Sequence, residues 1–325
     1  MAKKLNKKVA IIGILLIVLI IGGGILIVIR PRIARSRIGH TKIARILGFG
    51  QNPDKALEKA KEFLDAGDYL KAEEQFGISY SFGETDAYKV ERLFDIANFH
   101  LINNQEHEVN WLKALGCWSK ITNIDSNNIE ARRNMLDYYY QSAEAGNPRL
   151  WKNIKEITEE MLDILNVQGT EPDAELLTTC AKANLYMAQR GETTNRKELL
   201  NESLARLEDL LKQYPEKEDL YQLRAQAAMI QGDLNEMDGI RNAKENAQQD
   251  AVQWLNTGFD QADDKATAAA NLLKFRLQTA VNEPNEVDNI RSEIEIYADK
   301  IEPNAEFLFV TSIAYENPGN LSPMA

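Results

Sequence analysis

The chain has 325 residues, 44% hydrophobic and 27% charged, with a net charge of −11 that is unevenly divided. Residues 1–50 carry ten Lys and Arg and no acid, which leaves 28 basic against 49 acidic residues, a net −21, in 51–325. So acidic a body excludes nucleic acid as the main partner, because phosphate binding needs a basic footprint, and it makes basic peptides or cations the easier ligands.

In chain order, residues 1–8 form a short basic leader with Lys3, Lys4, Lys7 and Lys8, and residues 9–29 follow as 21 positions without a charged or polar side chain. At about 1.5 Å per residue this run spans roughly 30 Å, the hydrocarbon thickness of a bilayer, so it predicts a transmembrane helix and a single-pass N-terminal membrane anchor. A cleaved signal peptide needs a shorter apolar region and a small-residue cleavage site, whereas here Arg30-Pro31-Arg32 follows directly. Both flanks are positively charged, so the positive-inside rule leaves open the side on which the body lies. Residues 30–52 form a basic juxtamembrane linker, with Arg30, Arg32, Arg35, Arg37, Lys42 and Arg45 interleaved with isoleucines. This stretch is either a surface for anionic headgroups or a solvated stop-transfer flank.

From 53 to 303 the pattern is helical and repetitive, in about six pairs. In 53–86 two apolar stripes, Leu57, Ala60, Phe63, Leu64 and then Ala72, Phe76, flank the break Gly67-Asp68-Tyr69, which predicts two antiparallel helices meeting at a tight turn. Ala60 and Ala72 sit where the backbones must approach. The second pair carries Leu93, Phe94, Ala97 and Leu101, then a polar insertion at 103–108, then Ala114, Trp118 and Ile121, whose spacing matches Ala72, Phe76 and Ser79. The third runs through Met135, Leu136, Tyr139 and Tyr140 and returns across Gly146-Asn147-Pro148 to Trp151, Ile154, Ile157 and Met161. The fourth joins Leu176, Cys180, Ala181 and Leu185 to Leu200, Ser203, Leu207 and Leu210. The fifth, from 218, repeats the register of the first at an offset of 165 residues, with Tyr221, Ala225, Ala228, Gly232-Asp233-Leu234 and Met237. Residues 250–264 fit either a long second helix or a separate one. A sixth pair spans 266–281 and 286–301, and 304–325 begins a further helix that packs back on the sixth pair or belongs to a chain continuing beyond Ala325.

This series resembles tetratricopeptide repeats, the 34-residue helix-turn-helix family, with the firmest registers at 53–86 and 218–249. The resemblance implies an all-α, right-handed α-solenoid, here preceded by one transmembrane helix, whose first helices line a concave face that binds an extended peptide or a partner's helix. On it the candidate groove residues are Lys61, Leu64, Gln222, Gln226 and Met229, with Leu57 at the equivalent outward position of the first unit. These do not reproduce the Lys and Asn clamp by which one subgroup grips acidic peptide C-termini.

Other chemistry is poorly represented. His40 lies in the basic flank, and His100 and His107 straddle the insertion beside Glu106 and Glu108, short of the three or four convergent ligands a zinc site needs. Cys117 and Cys180 have no CxxC or histidine spacing and read as small core hydrophobes. The acidic residues are spread along polar helix faces, the tryptophans and Tyr138-Tyr139-Tyr140 sit in helix stripes, and no nucleophile elbow, phosphate loop or HExxH occurs. The sequence therefore predicts no enzyme, cofactor or metal, and a membrane-tethered scaffold with an unidentified protein or peptide partner. The alternatives are the anchoring or regulatory region of a larger enzyme with its catalytic domain beyond residue 325, and a self-associating structural spacer.

Overall fold

The computed structural model describes residues 52–103, 108–190, 195–280 and 284–316. The basic leader, the apolar run at 9–29 and the linker up to residue 51 lie outside the described residues, as do His40, His107 and Glu106. The described residues hold thirteen α-helices and no strand, so the chain is all-α, and no helix among them is long and apolar enough to cross a membrane. The described residues divide into two compact units, the boundary falling between Tyr138 and Tyr139.

In the first unit α1 (Pro53–Asp65) begins because the Asn52 side chain accepts from the backbone N–H of Asp54 and Lys55 at 2.9 and 3.1 Å, with Pro53 preset for the first turn. It ends because Gly67 takes φ 77°, which lets Asp68 N–H reach Phe63 O at 2.8 Å and Gly67 N–H reach Leu64 O at 3.0 Å. This two-bond closure satisfies carbonyls that the helix end would leave bare. Asp68 then caps α2 (Tyr69–Phe82) through Lys71 N–H. Ala60 and Ala72, both fully buried, let the helices meet, and Phe99 of α3 (Asp86–His100) closes the cluster, its ring centroid 5.6 Å from that of Phe76. α3 and α4 (Trp111–Ile124) build a second cluster from Leu93, Ala97, Ala114, Trp118 and Ile121, joined by Ala131 at the start of α5 (Ile129–Glu144). Ala72, Phe76 and Ser79 are buried, and so are Ala114, Trp118 and Ile121, so the matched spacing does place the same faces inward across the insertion.

The second unit continues in pairs. After a 3-10 turn at Pro148–Leu150, α6 (Trp151–Gln168) packs on α7 (Ala174–Arg190), and α7 pairs with α8 (Arg196–Gln213), where Ser203 Oγ donates to Ala181 O at 2.9 Å. α9 (Glu218–Met237) and α10 (Ala243–Gln261) form the most extensive pair, and 250–261 belongs to this one long second helix. α9 differs from the expected register. It runs straight through Gly232 and closes seven residues later at Gly239, φ 81°, where Ile240 N–H reaches Asn235 O and Gly239 N–H reaches Glu236 O. Gly232 serves instead as a contact point, since a Cβ there would lie 2.4 Å from Ala247 Cβ of α10.

α11 (Lys265–Thr279), α12 (Pro284–Ala298) and α13 (Ala305–Glu316) share one core through Leu273, Leu277, Ile290, Ile294, Phe307 and Val310. Each large side chain buried there contributes about 1.5–3 kcal/mol relative to exposure. The helix after the sixth pair thus folds back on it by its Phe307, Val310 and Ala314 face, while Leu308 and Phe309 stay exposed.

Candidate functional site

The second unit places the first helices of successive pairs side by side: α7 touches α9, α9 touches α11, and α11 touches α13. Each carries a stripe of polar or aromatic side chains three or four residues apart, namely Thr178, Lys182 and Tyr186 on α7, Glu218, Gln222 and Gln226 on α9, and Thr267, Asn271 and Lys274 on α11. Such spacing puts each stripe on one helix face. The stripes line two cavities that share Asp219, Gln222 and Lys274. One, about 290 Å³, runs between α7, α9 and the end of α5; the other, about 440 Å³, runs between α9, α11 and α13.

The α7 end is ordered from within. Lys182 Nζ lies 2.8 Å from Tyr140 Oη and 2.9 Å from Glu144 Oε1, and 5.0 and 5.5 Å from the ring centroids of Tyr140 and Trp151. Burial alone would depress this ammonium, but its hydrogen bonds to Tyr140 and Glu144 outweigh burial and hold the pKa above the ordinary lysine value. Trp151, itself buried, stacks on Tyr186 at 4.1 Å and 5°. Gln226 Nε2 donates to Gln189 Oε1 at 3.1 Å, tying α9 to α7.

The α13 end is acidic. Burial raises the Glu218 pKa above the ordinary carboxyl value, and the negative charges of Asp219, Asp264 and Glu306 raise it further. Asp264 is the satisfied member of this group: it accepts from the N–H groups of Ala266 and Thr267 at 3.0 Å as the cap of α11, which holds its pKa down.

Of the five residues proposed from sequence, Gln222 and Gln226 come together on this surface. Met229, one turn further on, is half-buried against Ala225, Ala228, Ala251, Leu255, Leu272 and Phe275. In the first unit Leu64 is half-buried against the Ala60, Ala72, Phe76 and Phe99 cluster, as is Leu57. Lys61 is exposed on α1, near enough to Asp95 of α3 to offset in part the rise that burial imposes on that carboxyl. Sequence reasoning passed over Lys182, Tyr186, Asn271, Lys274 and Phe309. The signal that could have found the first four is the three- or four-residue polar or aromatic stripe repeated on alternate helices; Phe309, inside the apolar run of residues 307–310, carries no such signal.

Elsewhere, Cys117 and Cys180 are buried free thiols whose pKa values burial raises. His100 is buried edge-on to Phe99 with Glu73 beyond hydrogen-bond range at 3.9 Å. No cluster of three metal-ligating side chains exists among the described residues. A scan against protein-family models finds no match to this chain, and a search of curated proteins finds none either.

Proposed function

We propose that this protein is a membrane-tethered scaffold of the tetratricopeptide-like kind, which binds an extended segment or helix of another protein against the first helices of its pairs. The observation that carries this reading is the alignment of α7, α9, α11 and α13, the polar stripes of the first three lining cavities that share Asp219, Gln222 and Lys274. Side chains such as Gln222, Asn271 and Thr178 supply donors and acceptors for a peptide backbone, and an extended chain gains affinity from such main-chain bonds and specificity from alternate side chains. The apolar run at 9–29 supports the tether, and the excess of acid in 51–325 favours basic partners and salt-sensitive association.

The test is site-specific photocrosslinking in native membranes. A photoreactive residue at Gln222 or Gln226 captures a discrete partner protein, whereas one at Asp209, on the exposed side of α8, does not. Equal capture from both surfaces, or none from α9, rejects the reading.

A further inference from the structure

The cavity between α9, α11 and α13 differs from its neighbour in what it leaves unmatched. At about 440 Å³ it holds a pair of adjacent peptide side chains, and its wall includes Phe309, 62% exposed although it belongs to a helix whose other face is core. Glu218, Asp219 and Glu306 stand at the same cavity with one ammonium, Lys274, so its lining carries a net charge of −2, and none of the three carboxylates forms an ion pair among the described residues. By contrast the Lys182 end is already neutralised by Glu144. One end of the surface is thus self-satisfied, and the other presents negative charge beside bare aromatic area.

Resting on the scaffold reading above, we propose that this cavity is the specificity pocket of the groove, and that it takes a basic side chain, Arg or Lys, adjacent to an apolar one in an extended peptide. The cation lies among Glu218, Asp219 and Glu306, the apolar neighbour covers Phe309, and Gln222 and Asn271 hold the backbone. Charge complementarity selects this occupant over an acidic segment, which would add a like charge to a group of carboxylates that already repel one another. Burial raises the Glu218 pKa and the neighbouring carboxylates add to the rise; a bound cation relieves their part of it.

The experiment uses the full chain in detergent and three fluorescein-labelled octapeptide libraries with fixed central pairs Arg-Leu, Glu-Leu and Arg-Ser, read by fluorescence anisotropy. The Arg-Leu library binds about tenfold tighter than Glu-Leu, the scale of one close interfacial charge pair. The double variant Glu218→Gln, Glu306→Gln, whose side chains keep their shape, narrows that gap to about twofold or less. Phe309→Ser, at an exposed position that leaves the core intact, abolishes the preference of Arg-Leu over Arg-Ser. Equal binding of Arg-Leu and Glu-Leu, or a gap unchanged in the carboxamide variant, overturns the proposal. If crosslinks still form from Gln222 and Gln226, such a result removes the pocket's charge specificity and leaves the scaffold; loss of those crosslinks removes the scaffold as well.

Discussion

The hairpin α1–α2 and the hairpin α9–α10 carry the same spacing of small residues and glycine, yet the glycine does different work in each. Gly67 makes the turn; Gly232 makes the contact. Both first helices close by the same pair of backbone bonds onto a glycine of positive φ, but α9 does so seven residues later, two helical turns further along. The added turns lengthen the contact between α9 and α10, and Gly232 lies where α9 meets the Ala247 methyl and the Ala243 carbonyl of α10. A glycine between two helical patterns therefore marks either a stop or a close crossing, and the choice rests on what the partner helix places opposite it.

The sharpest way to test that difference is to add one methyl group at each site. Gly232→Ala drives a Cβ to 2.4 Å from Ala247 Cβ and 3.2 Å from Ala243 O, with backbone on one side and a rigid methyl on the other. Overpacking of this kind costs about 3 kcal/mol, and native-state hydrogen exchange should show amides of α9 and α10 opening faster by the corresponding factor. Ala247→Gly in the same chain should recover much of the loss. If Gly232→Ala is neutral, the crossing has room for a methyl group and Gly232 is an ordinary helix residue.

Gly67→Ala tests the other role. At φ 77° an alanine is strained by about 1–2 kcal/mol, so the exchange of α1 and α2 accelerates while α9 is unaffected. An effect as large as that of Gly232→Ala would erase the contrast between turn and contact.

These two glycines also show how far the sequence carried. The caps and the small residues were legible: Asp68 after Gly67, Ala60 opposite Ala72, and the repeat of that spacing at Ala114, Trp118 and Ile121 all turned out where helical periodicity puts them. The extent of α9 was not, because Gly232-Asp233-Leu234 satisfies the local rules for a turn and only the Ala247 contact decides against one. The same limit applies to the surface. Gln222 and Gln226 reach the cavities, but Leu64 and Met229 face core clusters, since an apolar residue three or four positions from an outward one can lie over the adjoining groove between helices. Lys182 escaped notice because its setting combines α5, α6 and α7, which no single stretch of sequence displays.

A third substitution in α2 reverses the sign. Gly77 lies mid-helix, and a Cβ there meets nothing within 4 Å. Gly77→Ala should stabilise α2 by about 0.5–1 kcal/mol, because it removes the conformational entropy of glycine without adding a clash. Measured by slower exchange of α2 amides, this gain offsets about half of the Gly67→Ala penalty in the double variant, the sites being far enough apart in the hairpin to add. A loss at Gly77 would mean that α2 is crowded on a face left open here.

The smallest expected effect is a difference in the direction of pH response at the starts of α2 and α9. Asp68, hydrogen-bonded by Lys71 through both side chain and backbone, has its pKa lowered from 3.8, so the folded hairpin favours its carboxylate. Its contribution is complete above 3.8 and is lost as pH falls through the lowered value. Glu218 is raised from 4.5 by burial and by its acidic neighbours, so the folded state favours its neutral form. That contribution is complete below 4.5 and is lost as pH rises through the raised value. Amide exchange in the first turns of the two helices, corrected for the intrinsic pH dependence of the chemistry, should therefore show protection falling with acid in α2 and rising with acid in α9. Asp68→Asn keeps a capping side chain but removes the first slope, and Glu218→Gln removes the second. Slopes of the same sign in both helices would show that Glu218 is solvated like a surface carboxylate, and the α13 end of the groove would then lose the burial that sets it apart from the Lys182 end.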